Sequence, residues 1–398
     1  MLSDLTPCSP DPILNAMAAF REDRAPQKID LSVGIYRDPM GETPIFSAVK
    51  QSEQELLLAE ETKSYLGIEG NSDFNHLLAR LALGDEHERL GGRVSLLQSV
   101  GGSGALRVAA ELIKSARPQS TVLVSDPTWA NHYPLIGGAG LTLGTYPYLD
   151  ASGLKFDAPR MLDFLNGLAP DSAVVLQASC HNPTGVDPTP EEWRQIASVL
   201  ARRKLVPIID LAYQGLGDGE QEDAAAVRIM AAELPELFVT ISCSKNFGLY
   251  RERTGLLIAV AASTKDAKAV SSHIYRIARS LYSMPPNHGA AIVARILSSA
   301  SLKTLWQDEL DGMRRSLRDL REIFAASLSE VGFDGAQIKS GKGMFTHIPM
   351  SDDVVGRLRA EQHIYLGPGG RLNLAGLSSK PATAIADVIV KALKAGQI

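Results

Sequence analysis

The sequence predicts an α/β protein built around a mostly parallel sheet. From about residue 94, short β-rich runs alternate with helical stretches, a pattern typical of parallel strands joined by crossover helices. Asn182 and Asp210 are 28 residues apart, and Asp210 and Lys245 are 35 residues apart. Each separation is about one crossover unit. The strands predicted in this region cover 94–99, 121–125, 173–179, 205–210 and 238–241.

The three residues Asn182, Asp210 and Lys245 each lie at or just after the end of a predicted strand. Because the carboxyl ends of parallel strands meet at one edge of a sheet, we expect these side chains to lie together. Ligands of open α/β sheets bind at that edge. The run 255–260 follows Lys245 too closely for a crossover helix, so it is predicted to be an antiparallel neighbour.

The remaining pattern predicts a smaller α+β domain built from both chain ends. A helix is expected before Pro26 and a strand over 30–36, with further short strands over 344–348 and 371–375. Other helices are predicted over 46–62, 72–83, 104–116, 190–203, 223–233, 264–281, 351–361 and 381–395.

Apolar residues recur at helical spacing over 301–331, which predicts one long helix. Such a helix is roughly 45 Å long at 1.5 Å per residue, longer than one domain is wide, so we expect it to connect two domains. The predicted division is an arm with part of the small domain at 1–42, a large cofactor-binding domain at 43–312 and the rest of the small domain at 313–398.

Composition narrows the class of protein. A chain of 398 residues is too long for one ordinary core, and its net charge of −5 does not favour nucleic acid or an anionic membrane. Three cysteines without a CxxC pair predict a reducing, cytoplasmic setting. No signal peptide is visible, and no apolar run approaches the ~20 residues that cross a bilayer.

Lys245 is the first candidate for chemistry. A β-type run leads straight into it, and small and hydroxyl residues surround it. Burial lowers the pKa of a lysine, and the neutral amine can form a Schiff base with an aldehyde. Asp210 ends an apolar run and therefore needs a cationic partner, such as a protonated ring nitrogen. The alternatives are a surface lysine and an aspartate that caps a turn.

Two other patterns favour anion binding. Gly101–Gly104 opens a helix, whose free N–H groups suit a phosphate, although such turns also serve tight packing. Arg107 stands where a dinucleotide fingerprint requires a third glycine. Arg279 precedes a proline-containing segment, and Arg371 follows a glycine-rich loop. Both suit bidentate carboxylate recognition, unless they are ordinary surface residues. No metal site is expected, because His132 and His181 lack a third ligand at metal spacing.

Together these residues resemble the class I pyridoxal-phosphate-dependent aminotransferases of fold type I, in the aspartate and aromatic branch. The resemblance covers nearly the whole chain and implies a seven-stranded, mostly parallel sheet in the large domain. The shared segments are Tyr-Leu-Gly-Ile-x-Gly (65–70), Gly-Gly-Ser-Gly-Ala-Leu-Arg (101–107), His-Asn-Pro-Thr-Gly (181–185), Asp-x-Ala-Tyr-Gln-Gly (210–215), Ser-x-Ser-Lys-x-x-Gly-Leu-x-x-x-Arg-x-Gly (242–255) and Gly-Arg-x-Asn (370–373).

The resemblance implies pyridoxal 5′-phosphate as the cofactor, with Lys245, Asp210 and Tyr213 as catalytic residues. Lys245 would hold the cofactor as an internal aldimine and later move a proton between the substrate Cα and the C4′ atom of the cofactor. Asp210 would pair with the pyridine nitrogen, so that the ring acts as an electron sink. Asn182 and Tyr213 would hydrogen-bond the phenolate oxygen of the ring.

The same resemblance implies further contacts around the cofactor. Trp129 and Ala212 would stack on the two faces of the ring, and His132 would brace Asp210. The phosphate would be bound by Gly102, Ser103, Ser242 and Arg253, with Tyr65 reaching in from a partner subunit.

The implied substrates are an amino acid and a 2-oxo acid, exchanged by a ping-pong cycle in a homodimer with shared sites. Arg371 would take the α-carboxylate, and Arg279 of the partner would take the distal carboxylate of glutamate or 2-oxoglutarate. Gly34 lies where the substrate loop closes, and Trp129 and Asn182 also face the substrate.

Four positions bear on the second substrate. Ser64, Ser103, Leu281 and Met284 replace residues common in aspartate-selective relatives. Fewer polar groups near Arg279 make the pocket more apolar, which suits a large ring. The sequence therefore predicts transfer from tyrosine or phenylalanine to 2-oxoglutarate, with aspartate specificity or dual specificity as the alternative.

Two other classes of function are weighed against this one. Ser242 to Lys245 also reads Ser-x-x-Lys, and 339–341 imitates the Lys-Thr-Gly of serine acyl-enzymes. That motif should open a helix, whereas here it ends a predicted strand. A regulator that keeps the fold as an effector sensor is the non-enzymatic alternative, and no DNA-binding segment is expected before residue 30.

Overall fold

A seven-stranded sheet forms the centre of the computed structural model, which describes residues 2–8, 11–377 and 382–395. The strand order is β2-β8-β7-β6-β5-β3-β4. β8 is antiparallel to both of its neighbours, and the other pairs are parallel. The strands are β2 (Val94–Val100), β3 (Thr121–Asp126), β4 (Thr142–Pro147), β5 (Ala173–Gln177), β6 (Val206–Leu211), β7 (Leu237–Ser242) and β8 (Thr254–Val260).

The predicted α/β class and the antiparallel neighbour after Lys245 are thus confirmed. Within this sheet, the location of one strand, β4, was not predicted. β4 lies at the edge of the sheet, and most of its side chains are exposed or only partly buried. An edge strand needs no continuous apolar run, so the sequence signal that marks the buried strands is missing there.

Helices pack against both faces of the sheet, and several have the predicted bounds, including 72–83, 190–203 and 264–281. The helices of this part are α2 (Ser47–Ala59), α3 (Ser72–Leu83), α4 (Glu86–Leu90), α5 (Gly101–Ala116), α6 (His132–Gly137), α7 (Ala158–Gly167), α8 (Pro190–Arg203), α9 (Ala225–Glu233), α10 (Thr264–Leu281) and α11 (Asn287–Ser298). The first turn of α5 already contains Gly101 and Gly102, so that helix begins three residues earlier than predicted.

A second, separate core combines Leu31 with apolar side chains from Phe324 to Val390. Its elements come from both chain ends, as predicted. They are α1 (Pro12–Glu22), β1 (Ile29–Asp30), α12 (Ala300–Glu330), α13 (Ala336–Ser340), β9 (Phe345–His347), α14 (Asp352–Gln362), β10 (Ile364–Tyr365), β11 (Arg371–Asn373) and α15 (Ala382–Ala395).

The long helix α12 connects the two cores. Its first half, from Leu302 to Leu317, packs into the core of the sheet. Its second half contributes Phe324 and Leu328 to the smaller core. The boundaries at residues 42 and 312 remain predictions. Residue 381, the first of the predicted last helix, lies outside the described residues.

The predicted strand over 30–36 is wrong beyond its first residue. β1 pairs with β10 over only two residues, Ile29 and Asp30. The carbonyls of Val33 and Ile35 instead accept hydrogen bonds from Nδ2 of Asn373, at 2.6 and 2.7 Å. Because a side chain satisfies these carbonyls, the segment forms a loop and needs no partner strand. No helix among the described residues is long and apolar enough to span a membrane.

Candidate active site

A cavity of about 210 Å³ lies at the carboxyl ends of the parallel strands. It brings Asn182, Asp210 and Lys245 together, as the crossover spacing predicts. Asp210 lies within β6, and the other two follow β5 and β7. The other predicted site residues that line the cavity are Gly34, Gly102, Ser103, Trp129, Ala212, Tyr213, Ser242 and Arg253.

The Lys245 amine faces this cavity over the ring of Tyr213, 5.0 Å from the ring centroid. Burial lowers the pKa of Lys245 to about 8. The carboxylate of Asp210 opposes this effect and raises the pKa, whereas the charges of Arg253 and Arg371 lower it. A much larger fraction of this amine is therefore neutral near pH 7 than in an ordinary lysine, which is what a nucleophile or proton acceptor requires.

Asp210 is buried, and both of its carboxylate oxygens have partners. Thr240 Oγ1 donates to Oδ1 at 3.2 Å, and His132 Nε2 lies 3.4 Å from Oδ2. The other ring nitrogen of His132 is 2.8 Å from Oγ1 of Thr128. His132 is fully buried and supports Asp210 from outside the cavity, while the Trp129 ring packs edge-on against it at 5.3 Å. These contacts fix the direction in which the carboxylate points.

Asn182 and Tyr213 form a donor pair on the cavity wall. Nδ2 of Asn182 donates to the Tyr213 hydroxyl at 3.4 Å. Burial raises the pKa of Tyr213, so its hydroxyl remains a hydrogen-bond donor at neutral pH. The backbone of Asn182 is clamped by the Gln177 amide, which accepts from its N–H at 2.8 Å and donates to its carbonyl at 2.9 Å.

One end of the cavity collects donors suited to an anion. The first turn of α5 presents Gly102 and Ser103, next to Ser242 and Arg253. Helix N-termini and a guanidinium together favour a phosphate. Gly101 has φ +66°, and a Cβ there would collide with the Arg253 guanidinium. Only glycine therefore lets this arginine approach the helix start.

Arg371 approaches the site from β11. It is 5% exposed, and it donates to Oδ1 of Asn182 at 3.3 Å and to the carbonyl of Ser32. Among the described residues, its Nε has no hydrogen-bond partner. A buried guanidinium with a donor to spare is suited to a carboxylate ligand.

Four predicted residues do not line this cavity. His132 and Arg371 contact the lining residues Asp210 and Asn182 from outside, whereas Tyr65 and Arg279 lie on the protein surface. Tyr65 is 92% exposed. Arg279 lies in the last turn of α10, is exposed and donates to the hydroxyl of Ser283. The loop that carries Tyr65 is adjacent to the segment that follows α10, since the N–H of Leu66 lies 3.0 Å from the sulfur of Met284. Within one chain, these two side chains therefore share a surface outside the site.

Four cavity residues were not predicted: Leu106, Gln177, Ser244 and Tyr250. Gln177 is the last residue of β5, so its position at the functional edge could have marked it. Tyr250 lies inside the Lys245 segment, and its hydroxyl accepts from the N–H of Tyr36 at 2.9 Å. His181 does not line the cavity, and its ring stacks on that of Tyr148 with the ring centroids 4.0 Å apart. Among residues 2–8, 11–377 and 382–395, no group of His, Cys, Asp and Glu side chains is arranged so that it could hold a metal ion.

Three groups meet at the strand ends of this open α/β sheet: a lysine amine, a carboxylate held in a fixed direction and a set of donors suited to an anion. Together they define the site of an enzyme that uses a lysine in catalysis. Residues 26–389 match the model of the family described as aminotransferase class I and II. The chain belongs to this family, whose members are enzymes that depend on pyridoxal phosphate.

Its relatives include both substrate branches. The aromatic-amino-acid aminotransferase of Pseudomonas aeruginosa is 44% identical over 384 residues, 96% of each chain. The aspartate aminotransferase of Haemophilus influenzae is 40% identical over 386 residues, 96% of this chain and 98% of the relative. A solved structure of the aromatic-amino-acid aminotransferase of Burkholderia pseudomallei, covalently bound to pyridoxal phosphate, has a TM-score of 0.94 at 38% identity, with 99% of each chain covered.

The residues of the cavity fit this cofactor. Arg253 and Ser242 offer a cationic and a hydroxyl donor to a phosphate, and the carboxylate of Asp210 can pair with a protonated ring nitrogen. The Lys245 amine, whose pKa is lowered, can react with an aldehyde. The three groups line one cavity, so a single ligand that carries all three functions can meet them together.

Proposed function

We propose that this enzyme transfers the amino group of tyrosine or phenylalanine to 2-oxoglutarate by a ping-pong mechanism, with pyridoxal phosphate attached to the amine of Lys245. The observation that carries the proposal is the Lys245 amine, whose pKa is lowered to about 8, in one cavity with Asp210 and Arg253. Aromatic relatives at 40–44% identity support this choice of substrate. The aspartate relatives at up to 40% keep aspartate as the second candidate.

When bound, pyridoxal phosphate supplies an electron-accepting ring that stabilises the carbanion left by removal of the substrate α-proton. Asp210 would keep a ring nitrogen protonated, and its bonds to Thr240 and His132 hold the carboxylate in place for this task. The hydroxyl of Tyr213 and the amide of Asn182 would donate to the phenolic oxygen of the ring. Trp129 and Ala212 would stack on the two faces of the ring.

Lys245 carries the proton in this scheme. Its amine, when free of the cofactor, would take the proton from the substrate Cα and give it to the C4′ atom of the cofactor, and a pKa of about 8 makes it competent both to accept and to donate a proton near neutral pH. Arg371 binds the α-carboxylate with the donors left over from its contacts with Asn182 and Ser32. Gly102, Ser103, Ser242 and Arg253 bind the phosphate, and Gly34 borders the substrate.

A homodimer completes the site in this proposal. Tyr65 reaches the phosphate of the partner subunit, and Arg279 reaches the distal carboxylate of its substrate. The proposal is supported by the exposure of both side chains and by the contact between Leu66 and Met284, which lie close to them in the sequence. A cytoplasmic setting, in which thiols stay reduced, is also part of it and is supported by the free thiols of Cys8, Cys180 and Cys243.

The substrate is tested by comparing kcat/KM for phenylalanine, tyrosine and aspartate, each with 2-oxoglutarate as acceptor. We expect the two aromatic donors to exceed aspartate, because Leu281 and Met284 add apolar surface beside Arg279. A kcat/KM for aspartate above that for both aromatic donors would assign the enzyme to the aspartate branch. Absence of turnover with all three donors contradicts the proposed function.

A further inference from the structure

Arg321, in the second half of α12, is a buried arginine that serves no role in the mechanism above. It is 2% exposed, and its guanidinium donates to backbone carbonyls. Nη1 donates to the carbonyl of Ile338 at 3.0 Å. Nη2 donates to the carbonyls of Lys342, Gly343 and Phe345, at 3.1, 3.0 and 2.6 Å. A guanidinium taken out of water is costly, so four carbonyl acceptors from one short segment indicate a specific structural task.

The segment 338–345 curves around this guanidinium. On its other side it is hydrogen-bonded to the turn that follows β5. A Cβ on Gly341 would lie 2.6 Å from Nη1 of Arg321, so the backbone passes directly over the charged group. The N–H of Lys342 donates to the carbonyl of Gly185 at 2.6 Å. Gly185 belongs to the same turn as Asn182, so the segment is fixed between Arg321 and the wall of the active site.

The segment ends at Phe345, whose ring contacts three site residues. The guanidinium carbon of Arg371 lies 4.8 Å from the ring centroid. The ring of Tyr213 packs edge-on at 6.0 Å. A Cβ on Gly34 would lie 2.9 Å from Cζ of Phe345, so the loop at residue 34 packs against the same ring.

We propose that Arg321 is a positioning residue for substrate binding, acting through Phe345 on Arg371. Its four hydrogen bonds fix the backbone of the segment 338–345, and this sets the plane of the Phe345 ring against which the Arg371 guanidinium rests. The inference rests on the proposed function in one respect, namely that Arg371 binds the carboxylate of the substrate.

The charge of Arg321 matters for this task. Burial lowers the pKa of Arg321 to about 10, so the group stays protonated at neutral pH. Charged donors make stronger hydrogen bonds to carbonyls than neutral ones. A lysine at this position keeps the charge and three donors, whereas a glutamine keeps neither the charge nor enough donors for four carbonyls. We therefore expect Arg321→Lys to lose part of the contact with the four carbonyls and Arg321→Gln to lose most of it.

The test compares Arg321→Gln, Arg321→Lys and the control Arg315→Gln, an exposed arginine on the same helix. KM and kcat are measured for the preferred amino acid donor, and Kd is measured for 3-phenylpropionate, a carboxylate that cannot react. For Arg321→Gln we expect KM and Kd to rise about tenfold with kcat changed less than about twofold, because the carboxylate site is displaced while Lys245 and Asp210 are not. Arg321→Lys should recover part of the loss, and Arg315→Gln should match the wild type.

A folded Arg321→Gln protein with unchanged KM and Kd overturns the proposal. So does a fall in kcat alone, since that would place the defect at the proton-transfer groups. A second variant, Phe345→Leu, should raise KM and Kd by itself, and it decides the matter if Arg321→Gln does not fold. In the double variant the two effects should not add, because Arg321 acts through Phe345, and full additivity contradicts that route. If the wild type shows no turnover, the proposed function fails, while the Kd comparison still decides the role of Arg321.

Discussion

At the scale of single residues, the environment of Lys245 makes its chemistry possible. Removing an ammonium from water disfavours the charged form, and this effect outweighs the attraction of Asp210. The result is a pKa of about 8 in place of the ordinary lysine value of 10.5.

We expect the lowered pKa of Lys245 to be visible in the cofactor-free enzyme. The neutral amine is the reactive form, so its rate of modification by trinitrobenzenesulfonate should rise with pH and reach half its maximum near pH 8. In Asp210→Asn the midpoint should fall further, because the charge of Asp210 raises the pKa. The rate is followed by mass spectrometry of the peptide that contains Lys245, and a midpoint near 10.5 would contradict the assignment.

Replacing Lys245 should remove the proton carrier. We expect Lys245→Ala to lower kcat by at least about 10²–10⁴-fold, the range that positioned acid–base groups contribute. Lys268→Ala, an exposed lysine on α10, is the matched control and should keep wild-type turnover. Steady-state rates of 2-oxo acid formation decide the matter, and substantial turnover in Lys245→Ala would refute the role.

At the scale of elements, the sequence predicts best where capping and periodicity agree. α8 begins with a capping box, in which Thr189 Oγ1 accepts from the N–H of Glu192 at 3.3 Å and Glu192 Oε2 accepts from the N–H of Thr189 at 2.7 Å. Its predicted bounds, 190–203, are those observed. β4 shows the reverse case, because an exposed edge strand has neither a cap nor a buried face to mark it.

The capping box gives a prediction for stability. Thr189→Ala removes the hydroxyl, which accepts from the N–H of Glu192 and donates to its Oε2 at 2.9 Å, so the free energy of unfolding should fall by about 1 kcal/mol. Thr304→Ala, an exposed threonine inside α12, is the control and should change it by less than about 0.5 kcal/mol. Urea unfolding followed by circular dichroism measures both, and equal effects would show that the cap contributes nothing.

At the scale of the whole molecule, the exposed surface bears on assembly. Leu57, Leu58 and Tyr65 are 80%, 89% and 92% exposed, and they belong to α2 and to the loop that follows it. Arg279 lies in the last turn of α10, and the segment that follows this helix contacts the Tyr65 loop at Met284. Large apolar side chains grouped in this way are typical of an interface, which agrees with a dimer that shares its sites.

Shared sites predict complementation between inactive variants. If Arg279 acts on the partner's site, Lys245→Ala and Arg279→Ala subunits combine into heterodimers in which one site has both native residues. Equal mixing after subunit exchange should then restore activity at about a quarter of all sites, measured with 2-oxoglutarate as acceptor. Each homodimer alone is the control. Sedimentation as an active monomer, or no recovery on mixing, would contradict the shared site.

The sequence by itself determined the α/β class, the antiparallel strand after Lys245 and the meeting of Asn182, Asp210 and Lys245 at one edge. These follow from local periodicity and from the rule that parallel strands end on the same side of a sheet. Only the tertiary structure decided the contacts that join distant segments. Arg371 meets Asn182 across 189 residues, and Arg321 fixes the segment that carries Phe345. Such contacts depend on how the two cores pack together, and a packing contact leaves no periodic pattern in either of the segments that it joins.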